Sequence, residues 1–98
     1  MYRHGDVLVA PIESIPTGAN PQQHLTLAEG EMTGHSHRIA ESGAAVLYEF
    51  HRTLYLEVVA DQATLVHQEH GPIALPRGFY RVWQQREYSP GAVRYVRD

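Results

Sequence analysis

The residues best suited to chemistry in this chain are four histidines in two short segments. GEMTGHSHRIA, residues 30–40, holds His35 and His37 separated by one residue. HQEHG, residues 67–71, holds His67 and His70 with Glu69 between them. Neutral imidazole is the commonest metal ligand among side chains. An H-x-H pair on a strand puts both rings on one face, close enough to share an ion. Glu41 lies four residues past His37. Three or four such N/O donors with an open position suit a divalent transition metal: Zn, Fe, Mn, Ni or Cu. In this reading His35, His37, His67 and His70 are ligands, and Glu41 or Glu69 is a further ligand or a general base. Arg38 or Arg81 would hold an anionic substrate.

Other readings use the same residues. One His from each pair can serve as general acid and base without a metal, as in small ribonucleases, with Arg38 or Arg81 supplying positive charge. With seven His in 98 residues, one H-x-H also arises by chance, as ordinary surface or hydrogen-bonded histidine. His4 and His51 are expected to be solvated.

Composition narrows the classes. The length suggests one domain over residues 1–98, with a core that is real but thin. At 43% hydrophobic residues the chain is expected to fold. A formal charge of −3 argues against a broad nucleic-acid-binding face but leaves room for a local Arg patch. There is no Cys, which excludes disulfides and thiolate metal sites. There is no Lys, which excludes a Schiff-base lysine mechanism. The opening MYRHGDVLV has no signal-like apolar core, and no apolar run reaches membrane-spanning length, so the expectation is a soluble cytoplasmic protein without a membrane partner. No P-loop, G-x-S-x-G or H-E-x-x-H motif occurs.

The elements that must position these residues alternate at strand period. DVLVAPI (6–12), HLTLA (24–28), AAVLYEF (44–50), TLYLEVV (53–59), ATLVHQ (63–68), PIAL (72–75), FYRVWQQREY (79–88) and VRYVR (93–97) read as strands. The breaks fall at PTGANP, His51-Arg52, Asp61, Pro76-Arg77-Gly78 and SPG. No amphipathic helix is expected. The predicted fold is all-β, a small barrel or sandwich of about eight short antiparallel strands. Parity puts His35 and His37 on the face of Ile39, and His67 on the face of Leu65. FYRVWQQREY mixes Trp, Tyr and Arg on both faces, a composition common at interfaces. It predicts a homo-oligomer, or a surface for a protein partner.

The spacing His35-x-His37-x3-Glu41 resembles the first motif of the cupin superfamily, and LPRG (75–78) resembles the P-x-G turn of its second. Cupins are small β-barrels that often hold a metal by two His, a Glu and a third His. The resemblance implies such a centre through His35, His37 and Glu41. It departs where the third His is expected, since Arg81 follows the turn and His67 and His70 precede it. A broader likeness is to small bacterial β-proteins sharing G-E-x-T-G-H-x-H, H-x-E-H-G-x-I and a final Q-R-E-Y. It covers most of the chain and marks the same histidines together with Arg86-Glu87-Tyr88, without implying a reaction. The expected function is a small metal-binding β-barrel protein, with a cupin-like metalloenzyme as its sharpest form. The alternatives are a non-catalytic homo-oligomeric or protein-binding module and a metal-free ribonuclease.

Overall fold

Alternating segments interrupted by Gly and Pro make strands, and in the computed structural model no helix forms among the described residues. The structure describes residues 1–30 and 34–85, and the backbone of 86–89 and 92–95. Glu31, Met32 and Thr33 of the first histidine motif, and the side chains of Arg86, Glu87 and Tyr88, lie outside the described residues. Among the described residues no helix is long and apolar enough to cross a membrane.

The strands are β1 (Tyr2–His4), β2 (Val7–Ile12), β3 (Asn20–Pro21), β4 (Thr26–Glu29), β5 (Ser36–Ile39), β6 (Ala45–Phe50), β7 (Thr53–Val66), β8 (Ile73–Gln84), β9 (Arg86–Ser89) and β10 (Ala92–Tyr95). Eight of them form one antiparallel sheet, with a path β1-β2-β8-β7-β5-β4 and with β6 joining β3 to β7. β9 and β10 pair with each other. The all-β expectation holds. Among the described residues no pairing joins β1 to β4, so the sheet does not close into a barrel.

β7 organises the sheet. Its first half pairs with β6 and its end pairs with β5, while β8 runs along its other side. This docks β5, which carries His37, against the end of β7 that leads to His67. β6 and β7 meet at a two-residue turn, His51-Arg52, as the sequence suggests.

Two expected turns are corrected. Asp61 lies inside β7 and Pro76-Arg77-Gly78 inside β8, so each pair of predicted strands is one long strand. The pairing slips there instead. Val58 faces Gly78 but Gln62 faces Pro76, four steps along β7 against two along β8. The surplus is absorbed as a bulge that bends the paired strands. Inward parity switches across it, from Leu56 and Val58 to Ala63 and Leu65 on β7. Arg77 pins the bend, donating to the Ala60 carbonyl at 3.2 Å and to the Asp61 carboxylate at 3.0 Å. Polar residues, Pro and Gly mark a bend in paired strands as readily as a turn. The second half of the cupin resemblance therefore has no turn to rest on.

The core is one cluster lining the inner face. Leu47, Leu56, Leu65 and Leu75 are fully buried in it, together with Val7, Val9 and Val58. Each such leucine is worth about 1.5–3 kcal/mol of burial. His37 and Asp6 are as inaccessible as these leucines, so the apolar interior has a polar end.

Candidate functional site

Three segments bring five of the seven histidines together. The first is the β1–β2 hairpin. Its two-residue turn is Gly5-Asp6, with Gly5 at φ +63°, the left-handed region glycine enters without steric cost. The turn sets His4 opposite Val7, and opposed residues share a face. His4 therefore points inward and is only 2% exposed, which overturns the expectation of a solvated side chain. The second segment is β5. His37 is buried on the face of Ile39, as parity requires, and His35 just before the strand is partly buried. The third is residues 67–71, leaving β7. Gln68 joins the last two: its carbonyl oxygen accepts from the Ser36 N–H at 2.9 Å, and its amide donates to the Gly34 carbonyl at 3.1 Å.

The two predicted histidine pairs thus lie side by side. Ring centroids are 4.3 Å apart for His37 and His67, 5.6 Å for His35 and His67, and 5.9 Å for His37 and His70. His4 packs against them, 5.0 Å from His37 and 5.5 Å from His70. His24 and His51 stay on the surface, the latter against Phe50.

Proton bookkeeping fixes what these rings can do. His4 Nε2 lies 2.9 Å from the Gly71 carbonyl oxygen. A carbonyl only accepts, so Nε2 carries the proton and a neutral His4 presents a lone pair at Nδ1. That atom faces His37 Nδ1 at 2.9 Å. Either His37 Nδ1 donates its proton across this gap, or its proton sits on Nε2. In the second case two lone pairs face one another and need a shared cation. His37 Nε2 lies 3.5 Å from Asp6 Oδ1, a buried carboxylate that favours a proton there. Asp6 is held from its other side, where Oδ2 accepts from the Gln84 amide at 2.5 Å. Burial is the main cause that lowers the His4 pKa below 6.5, opposed by the Gly71 hydrogen bond and aided by His70 and His67. Burial and the neighbouring rings thus favour the neutral form of His4, whose lone pair is then at Nδ1.

The remaining candidates take different positions. His70 Nε2 is buried and has no hydrogen-bond partner among the described residues. His67 Nδ1 accepts from the Glu69 N–H at 3.0 Å, so a neutral His67 carries its proton on Nε2 and acts there as a donor. His35 Nδ1 is 2.9 Å from Glu69 Oε2, close but off the hydrogen-bond line. Glu41 is exposed, and both its oxygens are engaged by Thr64, at 2.8 Å from the backbone N–H and 2.6 Å from the hydroxyl. Arg81 is exposed on β8, its guanidinium 4.9 Å from the Trp83 ring centre. Among the described residues, no three His, Asp or Glu side chains are posed as a ready metal-binding set.

Sequence reasoning missed His4, Asp6, Gln68 and Gln84. A signal existed for His4, because Gly5-Asp6 between alternating residues is a hairpin turn that pairs it with Val7. Gln68 and Gln84 act through single tertiary contacts that no local pattern marks.

Comparison with curated proteins and with solved structures finds no match. A family model for a domain of unknown function, DUF8820, matches residues 3–85, a span holding all five clustered histidines, Asp6 and Gln84. The chain belongs to the DUF8820 family of domains of unknown function.

Proposed function

We propose that this chain binds a divalent transition metal through His4 Nδ1 and His37 Nδ1, with His70 turning its buried Nε2 in as a third donor. The 2.9 Å approach of the two Nδ1 atoms carries the reading. Two nitrogens about 2.0–2.1 Å from a common ion are that far apart when they subtend roughly a right angle. The outer shell fits as well. A metal-bound imidazole donates its other N–H to a carbonyl or carboxylate, and the Gly71 carbonyl and Asp6 occupy those positions for His4 and His37. An all-imidazole set without thiolates suits Zn, Cu, Ni or Fe. His35, His67 and Glu69 then form a polar rim, with Glu69 as the carboxylate nearest the rings.

The second reading is a metal-free acid–base pair, favoured by the same distance read as an N–H···N hydrogen bond. Elemental analysis of protein purified from metal-replete medium separates the two. Metal near one equivalent in wild type, lost in His4→Ala and His37→Ala, supports the centre. Wild type that carries no metal and takes up none of Zn, Cu, Ni or Fe overturns it. EDTA-resistant RNA cleavage abolished by His37→Ala would establish the acid–base reading. The homo-oligomer expected from FYRVWQQREY belongs to the same proposal; among the described strands β1, β3 and β4 each keep one side unpaired, which could receive a second copy.

A further inference from the structure

A groove of about 250 Å³ is lined by Arg52, Thr53, Arg81 and Trp83 together with the aliphatic Leu27, Leu54 and Val82. None of its lining residues is acidic. This is unusual in a chain with a net charge of −3, and neither guanidinium pairs with a carboxylate among the described residues. By contrast, Arg77 is engaged by Asp61. Arg81 lies 4.9 Å from the centre of the Trp83 ring, a stacking contact that orients its donors without using them.

Arg52 is presented at a conformational cost. His51 and Arg52 have φ of +49° and +65°, where a two-residue hairpin normally places Asn-Gly. A non-glycine residue held there is strained, and such strain concentrates at ligand-binding positions. The groove also adjoins the histidine cluster. Gln84 lines it, and the amide of Gln84 donates to Asp6 beside His37.

We infer that this groove binds a small molecule bearing an oxyanion, phosphate or carboxylate, between Arg52 and Arg81. Two guanidiniums with no carboxylate partner among the described residues match an oxyanion, which accepts from both forks. The volume limits the ligand to a small one. The inference does not depend on a metal at His4 and His37.

Trp83 is the only tryptophan, so its fluorescence reports the groove directly. Wild-type protein is titrated with inorganic phosphate, AMP and acetate at constant ionic strength, with and without prior EDTA treatment. A saturable change with phosphate or acetate supports the site, and their relative strength identifies the oxyanion. A stronger response to AMP than to phosphate places a ring on the groove wall. Arg81→Gln and Arg52→Gly should weaken binding by about ten- to a hundredfold, the worth of one charged hydrogen bond. Arg77→Gln is the control and should bind as wild type does. Absence of a saturable change, an equal response to chloride, or an equal loss in Arg77→Gln would overturn the inference. Persistence of binding after EDTA treatment separates it from the metal reading.

Discussion

Replacing Asp6 by Asn separates the proposed metal centre from ordinary core packing. Asp6 is 1% exposed, accepts from Gln84 on one side and faces His37 Nε2 on the other. Asn keeps the shape and can still accept from Gln84, but it removes the carboxylate that, 3.5 Å away, favours a proton on His37 Nε2. Loss of such an outer partner weakens metal binding by about 10–100-fold. At a metal concentration of about 100 times Kd, binding stabilises the wild type by ~2.7 kcal/mol. A tenfold weaker variant retains ~1.4 kcal/mol and a hundredfold weaker one ~0.4 kcal/mol. For a domain of this length 1 kcal/mol moves Tm by about 4–8 °C, so Asp6→Asn should lose at least ~5 °C of the metal-induced rise. Without metal the variant should melt no lower than wild type, because burying a carboxylate costs more desolvation than burying an amide. The assay is thermal unfolding by circular dichroism, with and without added Ni or Zn. A full metal-induced rise in Asp6→Asn would refute the outer-partner role. A metal-free variant that fails to fold would show that Asp6 is structural instead.

Other perturbations follow from the same geometry. Gln68→Ala removes both bonds between the entrance to β5 and the exit of β7, and should cost about 1–2 kcal/mol, read as a lower Tm. Thr64 holds the Glu41 carboxyl below its ordinary 4.5, through its hydroxyl first and its backbone N–H second. The unfolded chain therefore takes up that proton first as pH falls. The contribution of Glu41 is present above 4.5 and is lost as pH drops through the lowered value. Glu41→Gln should accordingly flatten the acid side of the stability profile, and an unchanged acid-unfolding curve would contradict this. The double variant His51→Asn/Arg52→Gly puts at the two left-handed positions the residues that tolerate them best, glycine removing a cost of about 1–2 kcal/mol and asparagine part of another. The flexibility glycine adds returns about 0.5–1 kcal/mol of that, so Tm should rise by a few degrees. A lower Tm would refute the assignment of strain to this turn.

Much of the fold is legible in the sequence because strand period is a local property. Alternation locates β2, β6 and the first half of β7, and His51-Arg52 is correctly read as a hairpin. Parity places His37 inward with Ile39. The bend at Asp61 and Pro76–Gly78 is not legible, since the residues that interrupt a strand are those that bulge one. Whether they turn the chain or bend it depends on pairing across β7 and β8. His4 shows a different limit. A lone histidine near the start of the chain looks solvated until the Gly5-Asp6 turn is used to pair it with Val7. The meeting of residues 35–37 with 67–70 depends on β5 docking at the end of β7 and on Gln68, contacts made across about thirty residues of chain.

Whether His4 and His37 share a metal ion is read from X-ray absorption at the metal edge, on protein loaded with one equivalent of Ni or Zn. At least three imidazole nitrogens at about 2.0–2.1 Å are expected, falling to fewer in His4→Ala. A first shell of oxygen alone, or an imidazole count unchanged in both His4→Ala and His37→Ala, would contradict a shared ion.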